Sequence, residues 1–367
     1  MIAAAAMVSP ASAKEVAVDY KPGQGLLFSA EGSEAEGRLS LWVQPIVGVA
    51  ADEDGAVGLL EVRRARLDVV VAPKDWLRVE LGIAADREKF RLRDAEGQVR
   101  LDDAFVIRAG RGRVPSGLER ETSARDLALL ERTSITDLVP GRAALIGVDG
   151  EHEALFWRTA VARVNPDSLP DGAPLAIDGT ARVGFGGDHV GVSARGLVSP
   201  RPMGALGAEL EDPSDGTRLA AARAWEGLGT SAGADFGVAV GRTRALVEGA
   251  ILREGRDVST ISGHTLHFAG YGLMGVAFGS EHDRRGYDDA FTMPKGFEAV
   301  ARLEGNATWP APGAGDRTTG VGAALAASYA PTKSMRVQLE GRGGLSWRGD
   351  AAAQTGATVV AWLAVGP

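Results

Sequence analysis

The amino-acid sequence predicts an all-β fold: an antiparallel transmembrane β-barrel of about 16 strands. Three observations predict it. Segment after segment alternates apolar and charged residues with period two, the signature of a strand with two unlike faces. Glycine supplies 50 of 367 residues, roughly twice the usual ~7%, and suits turns and curved sheet far better than helix. Past the first residues no apolar run approaches the ~18–20 needed for a membrane helix, whereas a barrel needs only alternation.

The chain opens MIAAAAMVSPASAKE, in which Ile2 to Val8 is apolar and Ala11-Ser12-Ala13 fits an A-x-A cleavage site. Residues 1–13 are therefore read as the remnant of a secretory signal peptide. Residues 14–37 are read as an N-terminal periplasmic segment, and 38–367 as a single barrel domain.

Candidate strands begin near residues 38, 58, 75, 99, 142, 152, 177, 188, 217, 232, 242, 265, 296, 318, 333 and 355. Most run about 9–12 residues, the length of a tilted membrane strand and longer than the ~5–6 usual in soluble proteins. Leu77, Val79, Leu81 and Ile83 oppose Arg78 and Glu80. Ala245, Val247 and Ile251 oppose Arg244 and Glu248; Ala299, Ala301 and Leu303 oppose Glu298, Arg302 and Glu304. Met335, Val337 and Leu339 oppose Arg336, Gln338, Glu340 and Arg342, while Val321, Ala323, Leu325, Ala327 and Tyr329 share one face.

Connections are expected to alternate between short and long. Pro73-Lys74 and Gly187-Asp188 read as tight turns; Arg87 to Gln98, Pro166 to Ala176, Pro200 to Gly216 and Ser280 to Gly296 read as long polar loops. Asp-Gly pairs at 54–55, 149–150, 171–172, 178–179 and 215–216 are turn signals. Trp76, Trp309 and Trp347 fall at strand ends, where an interfacial girdle would put them.

Net charge is −8, with no long basic run, so a nucleic acid is not an expected partner. The absence of Cys excludes disulfides, Cys-based metal sites and thiol chemistry. No G-x-S-x-G or H-E-x-x-H occurs, and His264 and His267 would face opposite sides of a strand. Gly227 to Gly233 superficially resembles a nucleotide loop but has no helix after it, and Asp52-Glu53-Asp54-Gly55 reads as a solvated loop. Neither catalysis, nor a cofactor, nor a metal is therefore expected.

The densest local feature is Glu61-Val62-Arg63-Arg64-Ala65-Arg66-Leu67-Asp68-Val69-Val70-Val71. Alternation assigns Ala65, Leu67, Val69 and Val71 to lipid and Arg64, Arg66 and Asp68 to the lumen, with Arg63 on the lipid parity near one end. Lys74-Asp75-Trp76, Asp103-Ala104-Phe105-Val106 and Gly110-Arg111-Gly112-Arg113-Val114-Pro115-Ser116-Gly117-Leu118-Glu119 follow in order. Thr122-Ser123, Asp126-Leu127, Glu131-Arg132 and Pro140-Gly141-Arg142 continue the series. Over residues 58–148 the chain resembles the phosphate-selective porin O and P family. The resemblance implies a trimeric sixteen-stranded barrel passing anions, phosphate among them, with residues 115–139 as the loop that narrows the pore.

The expected function is passive diffusion of small hydrophilic solutes through the outer membrane of a Gram-negative bacterium. Its partners would be outer-membrane lipid, small anionic or polar solutes and two further copies of the chain. Candidate pore or constriction residues are Arg64, Arg66, Arg78, Arg113, Glu119, Glu121, Arg125, Asp126, Glu131 and Arg132. Two rival readings use the same alternation: a soluble secreted β-sandwich binding module, and an outer-membrane barrel enzyme.

Overall fold

The computed structural model describes residues 16–21, 24–30, 34–52, 55–86, 89–122, 127–130, 132–138, 140–163, 176–186, 190–206, 224–258, 261–278, 284–285, 296–312, 316–332, 335–350 and 353–366. The leader read at 1–13 lies outside them.

A hairpin of β1 (Val16–Lys21) and β2 (Gly25–Ala30) comes first. The wall then runs β3 (Glu36–Asp52), β4 (Gly55–Lys74), β5 (Leu77–Asp86), β6 (Lys89–Arg100), β7 (Phe105–Arg113), β8 (Arg142–His152), β9 (Leu155–Arg163) and β10 (Ile177–Gly186). It continues with β11 (Val190–Leu206), β12 (Ala224–Gly241), β13 (Thr243–Val258) and β14 (Ile261–Phe278). After the two-residue β15 (Arg284–Arg285), it ends with β16 (Gly296–Trp309), β17 (Thr318–Thr332), β18 (Met335–Arg348) and β19 (Gln354–Val365).

Each wall strand pairs antiparallel with the next, β14 pairs directly with β16, and β19 pairs back onto β3 from Gly356↔Asp52 to Val365↔Val43. The ring of β3–β14 and β16–β19 is thus closed at sixteen strands. β2 pairs with the start of β3, Leu26↔Leu39 to Ser29↔Glu36, in the lane that β19 vacates. Of residues 14–37, those described at 16–21, 25–30 and 36–37 lie in strands of the sheet.

The residues alternate as the sequence predicts, and the sense of the alternation decides what the sheet encloses. Along β16 the outward residues are Phe297, Ala299, Ala301, Leu303 and Trp309, and the buried ones are Glu298, Val300, Arg302, Glu304, Asn306 and Thr308. Leu303 is 69% exposed and Leu325 67%, whereas Glu340 is 1% and Arg302 3%. A soluble sandwich would bury the leucines and expose the ions. Here the oily stripe faces outward on the strands whose side chains are described, as a lipid-facing barrel requires.

The strand count agrees with the sequence reading only because two errors cancel. A strand placed near 99 covers two, β6 and β7, and of the strands placed near 217 and 232 the described part, from Ala224 to Gly241, is the single strand β12, residues 207–223 lying outside the described residues. Gly227 to Gly233 accordingly lies inside a strand. Residues 89–98, read as part of a loop, belong to β6, whose polar inner face disguised it. Strands also outrun the expected length: β4 has 20 residues and β14 has 18. Asp149-Gly150 and Asp178-Gly179 sit within β8 and β10 rather than at turns: both aspartates point inward, Asp149 against Arg108 at 3.0 Å and Asp178 buried. Arg63 is the extra residue of a bulge, with Gln44↔Arg64 followed by Pro45↔Val62. The parity therefore flips, and Leu60 becomes the outward residue at 87% exposure.

One rim carries short links at 75–76, 101–104, 153–154 and 242; the opposite rim carries 114–141, 164–176 and 207–223. The connection 279–295 breaks this rule, lying on the short-turn rim, where β15 pairs with Val240–Gly241 of β12. Aromatic residues mark both rims. Phe105 packs edge-on against Trp157 and Phe297 stacks on Tyr329 at the short-turn rim, and Phe268 packs edge-on against Trp309 at the other. Trp42 and Trp362 instead point inward and are buried.

Leu303→Arg, at mid-height on the lipid face, is expected to destabilise the barrel by about 2–4 kcal/mol. Equilibrium unfolding in lipid vesicles would measure it, with inward Asn306→Ser as a near-neutral control.

Candidate functional site

The interior is organised by the connection between β7 and β8, residues 114–141, which folds into the barrel. It contains one helical turn, α1 (Leu118–Glu121), and one 3₁₀ turn, Ser134–Asp137. Val114 is wholly buried and packs with Ala143, Leu145 and Ala162 at the loop's root. Leu118, Ile135 and Leu138 then cross the lumen to pack against Leu246, Ala250, Tyr271, Leu273 and Val300.

A loop inside a barrel has no ladder to pair with, so its backbone groups need side-chain partners. The far wall supplies them. Glu248 of β13 accepts from the N–H groups of Leu118 and Glu119, both at 3.1 Å, and from the Tyr271 hydroxyl at 3.1 Å. Glu340 of β18 accepts from Leu130 N–H at 2.7 Å. Arg336 donates to the carbonyls of Leu127 and Ala128 at 2.7 and 3.0 Å while stacking over Trp362 at 4.4 Å. Gln338 donates to Ala128 O, and Arg64 of β4 to Leu130 O.

With the loop fastened to β13–β19, open space remains on the opposite side. A cavity of about 310 Å³ lies between the loop and β3–β9. Its charged lining comprises Arg38, Arg78, Arg108, Arg113 and Arg158 against Glu80, Asp94, Glu96, Glu121 and Asp149. Opposite charges are largely paired: Arg108 with Glu96 at 2.9 Å and Asp149 at 3.0 Å, and Arg142 with Asp94 at 2.7 Å. Gly112 faces inward, and a Cβ there would strike the Glu96 carboxylate, so glycine keeps that ion pair in place. Asp149 Oδ1 and Arg142 Nη2 have no protein partner among the described residues, which suits a wall that meets water.

The sequence-predicted site residues divide as follows. Arg64, Arg113, Glu119, Glu121 and Arg132 meet at the loop. Glu119 accepts from Thr133 N–H at 2.9 Å and Thr133 hydroxyl at 2.5 Å, with Arg302 at 3.7 Å. Glu121 pairs with Arg158 and with Arg182 at 3.0 Å, and its carbonyl accepts from Arg113. Arg132 donates to Thr122 O. Arg66 lies apart from the loop, paired with Asp68 at 2.6 Å, Asp94 at 3.3 Å and Glu80 at 3.7 Å. Those three carboxylates are close enough to hold a metal ion, but each already pairs with an arginine: Asp68 with Arg66, Glu80 with Arg78 and Asp94 with Arg142. Arg78 is exposed to the lumen beside Glu80. Arg125, Asp126 and Glu131 lie outside the described residues.

The wall anchors Glu248, Glu340, Arg336, Gln338 and Tyr271 were missed as site residues. Their inward parity was legible, but nothing local marks which inward residues touch a loop more than a hundred positions away. His267 bridges Glu254 at 3.1 Å and Thr308 at 3.0 Å across β13, β14 and β16 and is buried, while His264 faces outward, the opposite orientation expected of this spacing.

Burial sets the loop's titration. It raises the Glu119 carboxyl above its ordinary value despite Arg302, Arg132 and Thr133. For Glu121 burial acts the same way but is outweighed by Arg182 and Arg158, so its carboxyl lies below the ordinary value. Burial lowers Arg132 to about 9, which leaves it cationic at neutral pH.

No protein-family model and no curated protein matches the sequence. The resemblance to the phosphate-selective porins thus rests on the motif residues alone. Solved structures do match in fold. The outer-membrane channel DcaP of Acinetobacter baumannii superimposes with TM-score 0.60 at 11% identity, covering 93% of this chain and 99% of that one. OmpT of Vibrio cholerae in its trimer form gives 0.59 at 12% identity, covering 89% and 99%. Salmonella typhi OmpF in complex with daunomycin gives 0.55 at 11%, covering 90% and 98%. The chain shares the barrel fold of these outer-membrane proteins.

Two outcomes follow from the anchoring. Replacing Glu248 and Glu340 together by Ala orphans three loop N–H groups, each worth about 1–3 kcal/mol. Hydrogen exchange of the loop amides should accelerate by at least tenfold while the wall strands stay protected. The carboxylates predict opposite responses to acid. The Glu121 contribution to loop docking is present above the ordinary carboxylate range and is lost as pH falls through its depressed value. The Glu119 contribution is present below that range and is lost as pH rises through its elevated value. At pH 7, Glu121→Gln should therefore loosen the loop and flatten its acid response, whereas Glu119→Gln should leave it docked; loop exchange across pH 3–8 checks both.

Proposed function

We propose that the chain is a porin of a Gram-negative outer membrane, a passive channel for small hydrophilic solutes that needs no cofactor and performs no catalysis. The observation that carries this reading is the inverted radial order of the sheet: leucine, valine and phenylalanine outside, paired and solvated ions inside. Sixteen strands enclose more space than their own side chains fill. The inward loop narrows that space without filling it, leaving the charged cavity beside β3–β9. The trimer form in which Vibrio cholerae OmpT is known supports a homotrimer.

The charge distribution supports a mild anion preference, with phosphate among the solutes. Along the cavity the charges balance, five arginines to five acids. Toward the long-loop rim the basic side has a slight excess: four arginines, Arg66, Arg93, Arg113 and Arg142, gather around three acids, Asp68, Glu80 and Asp94. Arginines in a pore lining favour anions. A balanced constriction below them keeps the selectivity modest.

Planar-bilayer recording of the purified chain should show stepwise ohmic conductance, with reversal potentials in a potassium chloride gradient displaced toward anions. Replacing Arg93 and Arg142 by Gln is expected to shift the reversal potential toward cations while conductance persists. Absence of conductance steps would overturn the channel reading; a wild-type cation preference would overturn only the anion reading.

A further inference from the structure

The outward face carries charges that the pore does not use. Arg253 on β13 and His264 on β14 are exposed on the lipid side and contact each other side chain to side chain. Register places Arg253 opposite Leu266, and Leu266 opposite Trp309. Thr308 pairs with Thr318, so Arg317 continues the same level on the next strand. Its guanidinium lies over the Trp309 ring at 4.9 Å from the centroid, and Phe268 meets that ring edge-on at 4.5 Å. One level of the wall therefore reads Arg–Leu–Trp–Arg across four neighbouring strands. At ~4.8 Å per strand the two arginines stand about 14 Å apart.

This level lies close to the long-loop rim, because β13 ends at Val258 and β16 at Trp309. Among the described residues neither Arg253 nor Arg317 pairs with a carboxylate. A guanidinium on the lipid face is costly at the bilayer centre and nearly free at the interface. What lies beside it there is headgroup. Arginine prefers a phosphate, which its fork engages in two parallel bonds. Trp309, Phe268 and Leu266 offer the apolar seat for the chains below.

We propose that Arg253, His264 and Arg317, flanking Trp309, form a binding site for the phosphorylated headgroup of a membrane lipid in the leaflet at the long-loop rim. The proposal rests on the membrane-barrel reading but not on conduction. Two clamped positions separated by an aromatic seat favour a lipid with a broad, multiply charged headgroup over a single small phosphate.

The full-length chain in detergent would be titrated with diphosphoryl lipid A, with the same lipid dephosphorylated, and with inorganic phosphate, bound species being counted by native mass spectrometry. Diphosphoryl lipid A should bind at least tenfold more tightly than its dephosphorylated form. Replacing Arg253 and Arg317 together by Gln should weaken it roughly 30-fold, about fivefold for each basic contact with a lipid phosphate. Arg100→Gln, near the other rim, should leave it unchanged. Equal affinity for the two lipids, wild-type binding by the double variant, or loss of bound lipid on adding millimolar inorganic phosphate would overturn the proposal. Planar-bilayer conductance of the unsubstituted chain separates the two readings: lipid selectivity without conductance sinks the channel, and conductance without lipid selectivity sinks this site.

Discussion

Closure of the sheet is the constraint from which everything else follows. In hydrocarbon each unpaired N–H or C=O costs several kcal/mol, and there is no water to take its place. The pairing of β19 with β3 removes the edge that sixteen strands would otherwise present. Once the ring is shut, strand alternation has only two destinations, lipid and lumen. Charges such as Glu340 and Arg302 then lie in a polar interior where protein partners meet them, Leu130 N–H and Gln338 for Glu340, Glu304 and Glu119 for Arg302. Buried in a dry core they would cost several kcal/mol per ion unless perfectly paired.

The inward loop divides the lumen of a wide cylinder unequally. It succeeds because one half of the wall is built to receive most of its backbone groups. Glu248 and Glu340 supply acceptors for its N–H groups, and Arg336, Gln338 and Arg64 supply donors for its carbonyls. Leucine and isoleucine from the loop bury against β13, β14 and β16 in the same step. The opposite wall, β3–β9, also touches the loop through Arg64, Arg113 and Arg158, but pairs Arg66, Arg108 and Arg142 with its own acids. The passage is thus displaced to one side, and its charge is set by the side chains left unused by the loop.

The two surfaces of the wall obey different electrostatics. Inside, ions are numerous and mostly paired, so individual residues tune the local field only slightly. Outside, toward the long-loop rim, Arg253 contacts His264 and Arg317 lies over the Trp309 ring, neither paired with a carboxylate among the described residues. A lipid-facing arginine thus carries more information about its surroundings than a lumenal one.

The class of fold was legible from sequence because the period-two pattern is local: Leu77 to Ile83 and Met335 to Gln338 declare two faces without reference to any other strand. The assignment of Arg64 and Arg66 to the lumen came from the same rule, and holds in the folded chain. The rule fails where a strand adds a residue, as at Arg63, since a bulge resets parity without leaving a mark in the composition. It fails again where an Asp-Gly pair lies mid-strand, as at Asp149-Gly150, because the turn signal assumes solvent on both faces. What only tertiary structure decided was which alternating face looks inward, where β19 meets β3, and which inward residues seize the loop. Glu248 lies some 130 positions from Leu118 and Glu340 some 210 from Leu130. Contacts at that separation are set by the circumference of the closed ring, a property of all sixteen strands together and of no segment alone.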